Sequence, residues 1–458
     1  MMAKMRYTLL ATVVLAAGIT AVPLALHAAA PRADAAVAAL DGAPEPVPDP
    51  AAWRLLPHVR AQAYYGLNDV NKDVPPAYMA AHVDIVEDDG YTAPHADAFK
   101  RAGGALAIAY TDPTYGAHCP PPFTPPAGRC EGQIAKLVAS DERAWIHDAS
   151  GARIHRFNDP YFQYQEVFNV TWPAVRRAFA RTTAEILAAS PRLDGFEADD
   201  SGSPFTGRDG VLGSNLYGEY SGHGVEIRND EEYFEAASAM LAAAGKPVIV
   251  NGGDPATWGP AYRGRYLRLP FVMGQQFEGC FNNAGKYRYT EIDDKFRREE
   301  NGLLAVVANR KLAVCFPTGD TTPPHRRYAY AAWLLTYDPR YSAYEMNVPQ
   351  SDGVALYPEI ELVPLQPRRT PRSIDDLRVG AVYAREFGAC AIAGRTIGPC
   401  AAVVNASSRE TAPVPPLAIT YGRRIELDPQ SLYHGGKARV VDGAPQQLAP
   451  ESAAILVR

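Results

Sequence analysis

The 458-residue chain carries 45 Lys and Arg against 51 Asp and Glu, a formal net charge of -6, and no concentrated basic tract. Neutralising a phosphate backbone needs clustered Lys and Arg, so nucleic acid is excluded as a partner. Aromatic residues make up 10% of the chain, with 25 tyrosines, which favours a surface that stacks on a neutral or polar polymer.

The N-terminus opens with a short basic segment, Met1-Met2-Ala3-Lys4-Met5-Arg6, followed by an apolar run from Tyr7 to about Leu26 and small residues at Ala28, Ala29 and Ala30. Basic head, apolar core and small-residue exit read as a signal peptide over residues 1–30. Cleavage is expected near Ala28 to Ala30, or a little later near Ala35, with a retained N-terminal anchor as the alternative. The expected address is secreted or periplasmic, without stable membrane insertion after cleavage. No cysteine precedes Cys119, so a lipid-modified cysteine just after the signal is excluded. Residues 31–57, rich in Ala, Pro, Asp and Glu, read as a flexible lead-in.

Short apolar segments then alternate with helical patterns. Strands are expected at Ala61–Gly66, Val83–Glu87, Ala105–Tyr110, Ala144–His147, Gly195–Asp199, Pro247–Asn251, Val272–Glu278 and Leu312–Phe316. Apolar residues three or four apart predict helices over Val175–Ala189, Glu231–Ala244, Ile292–Ala308 and Arg327–Leu335. Such alternation implies a parallel sheet with both faces covered, either an open doubly wound sheet or a closed barrel. No G-x-G-x-x-G follows the first strand, and the strands tend to end in polar groups. Both points favour a (β/α)8 barrel over 58–350, because a barrel assembles its site from the C-terminal ends of many strands. A Pro-rich connection at 351–375 leads to residues 376–458, where short alternating pieces at Gly380–Phe387, Ala401–Asn405, Ala418–Tyr421, Ala438–Val441 and Ala453–Val457 predict a small all-β, sandwich-like domain.

Six cysteines suit an oxidising compartment. Cys119 with Cys130 and Cys390 with Cys400 enclose short segments that local disulfides would staple. Cys280 follows the Val272–Glu278 strand and Cys315 lies within Leu312–Phe316; those strands would be neighbours in a barrel, which permits a third pair. The spacings lack the C-x-x-C of a zinc site, the histidines lack H-E-x-x-H, and Glu87-Asp88-Asp89-Gly90 lacks the alternation of a calcium loop. No metal or cofactor is predicted.

The strongest chemical signal is Asp194-Gly195-Phe196-Glu197-Ala198-Asp199-Asp200, an apolar strand running into adjacent carboxylates. Three acids so close repel one another and resist burial, so packing alone explains them poorly. Period two puts Glu197 and Asp199 on one face. Asp199 suits a nucleophile or base, Asp200 an orienting or interchangeable partner, and Glu197 a deeper support. Acetal cleavage needs a second carboxyl. Glu278, between Phe277 and Gly279, is the leading general acid, with Glu345 in Tyr344-Glu345-Met346 next and Asp320 behind it. Tyr65, Asn68, Asp69, Glu87, Tyr110, Asp112 and Asn251 at strand ends, with Trp145 and Trp258 as stacking platforms, are the expected sugar-binding set. A serine hydrolase is disfavoured, since Ser201 lies in no G-x-S-x-G turn.

Trp145-Ile146-His147-Asp148-Ala149-Ser150-Gly151, the stretch Val170 to Arg177, and Asp194-Gly195-Phe196 followed by Asp199 and Asp200 together resemble the hypothetical glycosyl hydrolases related to polygalactosaminidase-like α/β barrels. In the tail, Val382-Tyr383-Ala384-Arg385-Glu386-Phe387, Val403-Val404-Asn405-Ala406-Ser407 and Ser452-Ala453-Ala454-Ile455-Leu456 are similar to the β-domain that caps many barrel glycosidases. The resemblance spans most of Tyr64 to Arg458 and implies Asp199 as leading catalytic aspartate, joined by Glu278. Glu197 departs from it, placing an acid where many relatives are apolar. The expected activity is hydrolysis of O-glycosidic bonds in a polysaccharide or oligosaccharide, with a non-catalytic polysaccharide-binding or assembly protein as the alternative.

Overall fold

The computed structural model describes residues 49, 58–89, 93–113, 115–117, 141–147, 151, 153, 165–199, 201, 237–251, 266–281, 292–345, 348–349, 352–367 and 371–458. The expected signal peptide, nearly all of the lead-in, Asp200, Trp258, Cys119 and Cys130 lie outside the described residues.

Eight strands form one parallel sheet. They are β1 (Gln62–Tyr64), β2 (Ile85–Asp88), β3 (Leu106–Thr111), β6 (Gly195–Ala198), β7 (Val248–Asn251), β8 (Val272–Glu278), β9 (Leu312–Phe316) and β10 (Ser342–Tyr344), hydrogen-bonded in that order. A parallel bridge from Ala61 to Tyr344, with the Tyr344 N–H donating to the Arg60 carbonyl, joins the first strand to the last. The sheet is therefore a barrel whose seam is a single bridge wide. Between strands β3 and β6 lies a separate two-stranded piece, β4 (Tyr115–Ala117) with β5 (Gln165–Val167).

Five helices are named around it: α1 (Pro76–His82), α2 (Ala96–Arg101), α3 (Pro173–Ala189), α4 (Ile292–Ala308) and α5 (Pro323–Thr336). Helices α1, α3 and α5 start on proline, whose missing N–H costs nothing in the first turn. Residues 237–242 are also helical, matching the later part of the expected Glu231–Ala244 helix.

Two expectations about the barrel are corrected. Ala144–His147 is not a barrel strand; its residues make isolated antiparallel bridges, Trp145 to Phe168 and His147 to Arg153. Trp145 is fully buried with its ring 4.9 Å from Phe168, so the apolar run is satisfied by local packing rather than by the sheet. The eighth strand is instead β10, whose three residues are too few to show a period of two. Consequently Glu278 ends the sixth barrel strand rather than the seventh.

Inside the barrel, Ile85, Ile108, Ile249, Met273, Val314 and Ala343 belong to one small apolar cluster, separate from the core between sheet and helices. Two residues further along four of these strands stand Glu87, Tyr110, Asn251 and Glu345. Period two thus turns an apolar floor into a polar rim at the C-terminal end. Two glycines let the wall close: a Cβ on Gly195 would meet the Pro247 carbonyl oxygen at 2.5 Å, and one on Gly274 the Leu312 carbonyl oxygen at 2.5 Å.

The C-terminal part is an antiparallel sheet. Its path is β11 (Leu362–Pro364), β13 (Val382–Ile392), β14 (Arg395–Asn405), β19 (Ser452–Val457), β16 (Arg423–Leu427) and β17 (Ala438–Asp442), with β12 (Arg378–Val379) on β13. The strands β15 (Ala412–Pro413) and β18 (Gln447–Leu448) pair separately. Ala418–Tyr421 is not a strand: Arg423–Leu427 takes that place, and the Tyr421 hydroxyl donates to Glu386 Oε1 at 3.0 Å. The Cys390–Cys400 disulfide crosses the β13–β14 hairpin.

Helix α5 joins the two parts. Arg385, on β13, donates to the Leu334, Leu335 and Tyr337 carbonyls, satisfying orphan acceptors at the helix C-terminus. Arg326, fully buried, donates to Glu359 Oε2 at 2.6 Å and to the Asp428 carbonyl. Removing one member of such a pair strands the other charge in a dry site. Arg326→Met is expected to lower stability by about 3–5 kcal/mol; a urea titration shifted by less than ~1 kcal/mol would contradict this.

Candidate active site

The C-terminal rim brings together side chains from β1, β2, β3, β6, β7, β8 and β10. Asp199 follows β6, its backbone N–H donating to the Thr111 carbonyl at 2.8 Å. The Tyr110 hydroxyl donates to Asp199 Oδ2 at 2.8 Å. Asn251, at the end of β7, donates through one Nδ2 to Asp199 Oδ1 at 2.8 Å and to Glu278 Oε2 at 3.3 Å. These two contacts to a single nitrogen put Asp199 Oδ1 and Glu278 Oε2 about 6 Å apart at most. Glu278 ends β8 exposed, while the six residues before it are buried.

Beneath this pair lies a buried polar layer. Gln62, on β1, donates through Nε2 to Glu87 Oε2 at 3.0 Å and to Gln276 Oε1 at 2.7 Å. Strands β1 and β8 are not neighbours, so the amide pair spans the lumen. Glu87, Glu197 and Glu345 are all at most 1% exposed. Burial raises the Glu87 carboxyl well above the ordinary range, helped by Glu345, Asp199 and Glu278, while the hydrogen bond from Gln62 opposes. Burial pushes Glu345 up to about 8, against the lowering pull of the Gln62 side chain and the Tyr64 backbone. Burial also raises the Tyr64 hydroxyl, with Glu87, Glu345, Glu197 and Glu278 adding to it. Glu87 and Glu345 therefore keep their protons where exposed carboxyls lose them.

Other expected site residues stand elsewhere. Tyr65 is buried, its hydroxyl donating to the Val74 carbonyl at 2.8 Å and its ring against His95. Trp145 is buried against Phe168 with Arg153 over its ring. Asn68 and Asp69 form the turn after β1, where exposed Asp69 pairs with Lys72 at 3.1 Å. Asp112 follows β3, partly exposed. Asp320 lies beyond β9, accepting from the Thr322 N–H and pairing with His325. Asp200 and Trp258 fall outside the described residues. Gln62, Tyr64 and Gln276 were not singled out in the sequence; the signal was their even spacing with Glu278 and the strand ends, masked because Gln and Tyr are unremarkable residue types. Cys280, in the turn after β8, and Cys315, on the neighbouring β9, are disulfide-bonded.

Among the described residues no group of three or more His, Cys, Asp or Glu is arranged to hold a metal ion. No helix there is long and apolar enough to cross a membrane.

The fold and the rim together define an α/β barrel carrying paired carboxyls at its C-terminal face, followed by an antiparallel β domain. No family model matches the chain, and no curated protein matches it. Among solved structures, it is similar to Ega3 of Aspergillus fumigatus in complex with galactosamine, at 12% identity over 65% of this chain and 93% of that one, with a TM-score of 0.37. A cycloalternan-degrading enzyme from Trueperella pyogenes gives 12% identity over 93% of this chain, with a TM-score of 0.40. A dextranase from Flavobacterium johnsoniae gives 13% identity over 91% of this chain, also with a TM-score of 0.40. The chain spans 64% and 52% of those two bacterial proteins. Likeness at this level carries no argument about activity, which rests on the site itself.

Proposed function

We propose that the protein is an exported glycoside hydrolase that cleaves O-glycosidic bonds of a polysaccharide or oligosaccharide, with Asp199 as nucleophile and Glu278 as general acid. The observation that carries the reading is the shared Asn251 amide, which holds the two carboxyls on one side of the barrel mouth. Asp199, gripped by Tyr110 and Asn251, has both oxygens fixed, as an attacking group aimed at one carbon requires. Glu278, at an exposed strand end, can exchange protons with solvent between turnovers. The exported state is proposed from residues 1–30, and the same reading gives 31–57 as a lead-in.

We propose retention of configuration, because a single shared amide brings one oxygen of each carboxyl within about 6 Å of the other. Asp199 attacks the anomeric carbon as Glu278 gives its proton to the departing oxygen. Water, deprotonated by Glu278, then breaks the glycosyl–Asp199 ester and restores both groups. A polysaccharide screen with detection of new reducing ends tests the activity, and proton NMR of the first product tests the stereochemistry. Retained anomer is expected; an inverted first product would reassign Asp199 as a base. Polymer affinity without reducing-end release would make the protein a binding module instead.

A further inference from the structure

Resting on the two-carboxylate reading, we infer that the Cys280–Cys315 disulfide is a positioning element for Glu278, over and above its part in holding the fold. Glu278 is the last residue of β8, and the chain leaves it through a sharp turn: Gly279 and Phe281 both have positive φ, 72° and 56°. A non-glycine residue at Phe281's φ is strained, so an untied chain would relax there first. Three ties prevent this. The Gly279 and Cys280 N–H groups both donate to the Phe316 carbonyl, at 2.8 and 3.3 Å. Cys280 is bonded to Cys315 in β9, with Cα atoms 5.4 Å apart. On the other side, Gln276 is held across the lumen by Gln62 at 2.7 Å. The carboxyl is thus bracketed two residues before by an amide bridge and two residues after by a covalent bond. Both sulfur-bearing residues are fully buried, so the staple acts on the strand end rather than on a surface loop. Cys390–Cys400 ties a hairpin of the C-terminal sheet and serves as an internal control.

A misplaced general acid slows departure of poor leaving groups and spares those that need no proton. The test compares wild type, Cys280→Ala/Cys315→Val (apolar replacements suited to a dry site) and Cys390→Ala/Cys400→Val on two substrates, the polymer found by screening and a dinitrophenyl glycoside of its sugar. The first variant is expected to lose roughly 10- to 100-fold in kcat on the polymer, with KM within about twofold, while kcat/KM for the aryl glycoside, which reports only the first step and needs no acid, stays nearly unchanged. The control variant is expected to stay within about twofold on both. Equal losses on both substrates, or none on either, would overturn the inference. Should the first variant fail to fold, wild type treated with a phosphine reductant below its unfolding temperature replaces it, with Cys280 alkylation counted by mass spectrometry against kcat. If activity does not track alkylation, or the reduced protein also unfolds, the disulfide serves the fold alone and the inference fails. Absence of turnover by wild type on either substrate, or turnover untouched in Glu278→Gln, would sink the two-carboxylate reading itself and is read separately.

Discussion

Asp199→Asn is expected to lower kcat on the screened polymer by about 10³-fold or more, with KM little changed. The amide keeps the shape and the contact with Asn251 but cannot form the glycosyl ester, so only the chemical step suffers. Glu278→Gln should fall by about 10²- to 10⁴-fold, the usual range for a lost general acid. The two variants are distinguishable. Added azide should restore turnover of an activated aryl glycoside in both, by routes that leave different products: in Glu278→Gln it replaces the water that the missing base no longer activates, giving a retained glycosyl azide. In Asp199→Asn the anion attacks directly and gives the inverted azide. Wild-type turnover in both variants would end the assignment, and a fall in Glu345→Gln alone would move the acid to Glu345. Asn251→Ala, which frees both carboxyls at once, should resemble neither and lose binding and rate together.

The second large effect concerns stability. Glu345 is buried and its folded carboxyl titrates at about 8, against 4.5 for the free side chain. Below pH 4.5 the folded and unfolded chains both hold the proton. Between 4.5 and 8 only the folded chain holds it, so folding takes up a proton and stability falls as pH rises. Glu87, raised by the same burial and by Glu345 itself, acts in the same direction. Glu345→Gln cannot ionise and escapes this loss. The variant should match wild type near pH 4 and exceed it by an amount on the order of 4 kcal/mol near pH 8. Guanidinium titrations at pH 4, 6 and 8 measure it, and a difference that stays flat with pH would show that Glu345 ionises freely in the folded barrel. Tyr64, Gln62, Glu197, Asp199 and Glu278 face the same lumen, so the pair titrates as part of a cluster rather than as one site.

Much of the barrel was readable in the chain. Gly195–Asp199, Pro247–Asn251, Val272–Glu278 and Leu312–Phe316 are apolar runs bounded by polar residues, and each contains a barrel strand. Helix α4 falls on its expected Ile292–Ala308, with Ile292 and Phe296 four apart and Leu303, Val306 and Val307 three and four apart. The errors share one cause. Ala144–His147 is as apolar as a buried strand, and burial against Phe168 is indistinguishable from burial in a sheet when only residue types are seen. Ser342–Tyr344 is too short to carry a period, so the strand that sets Glu345 into the lumen stayed hidden.

By itself the sequence determined the alternation of strands and helices, the acids at strand ends and the β-rich tail, because periodicity and local charge are properties of neighbouring residues. Which acids meet was decided only by the closing of the barrel. Asp199 and Glu278 are 79 positions apart, roughly, yet share one amide, because β7 lies between their strands. Closing the barrel likewise sent Glu345 into a dry interior, where the cost of charge, not the residue type, sets its chemistry.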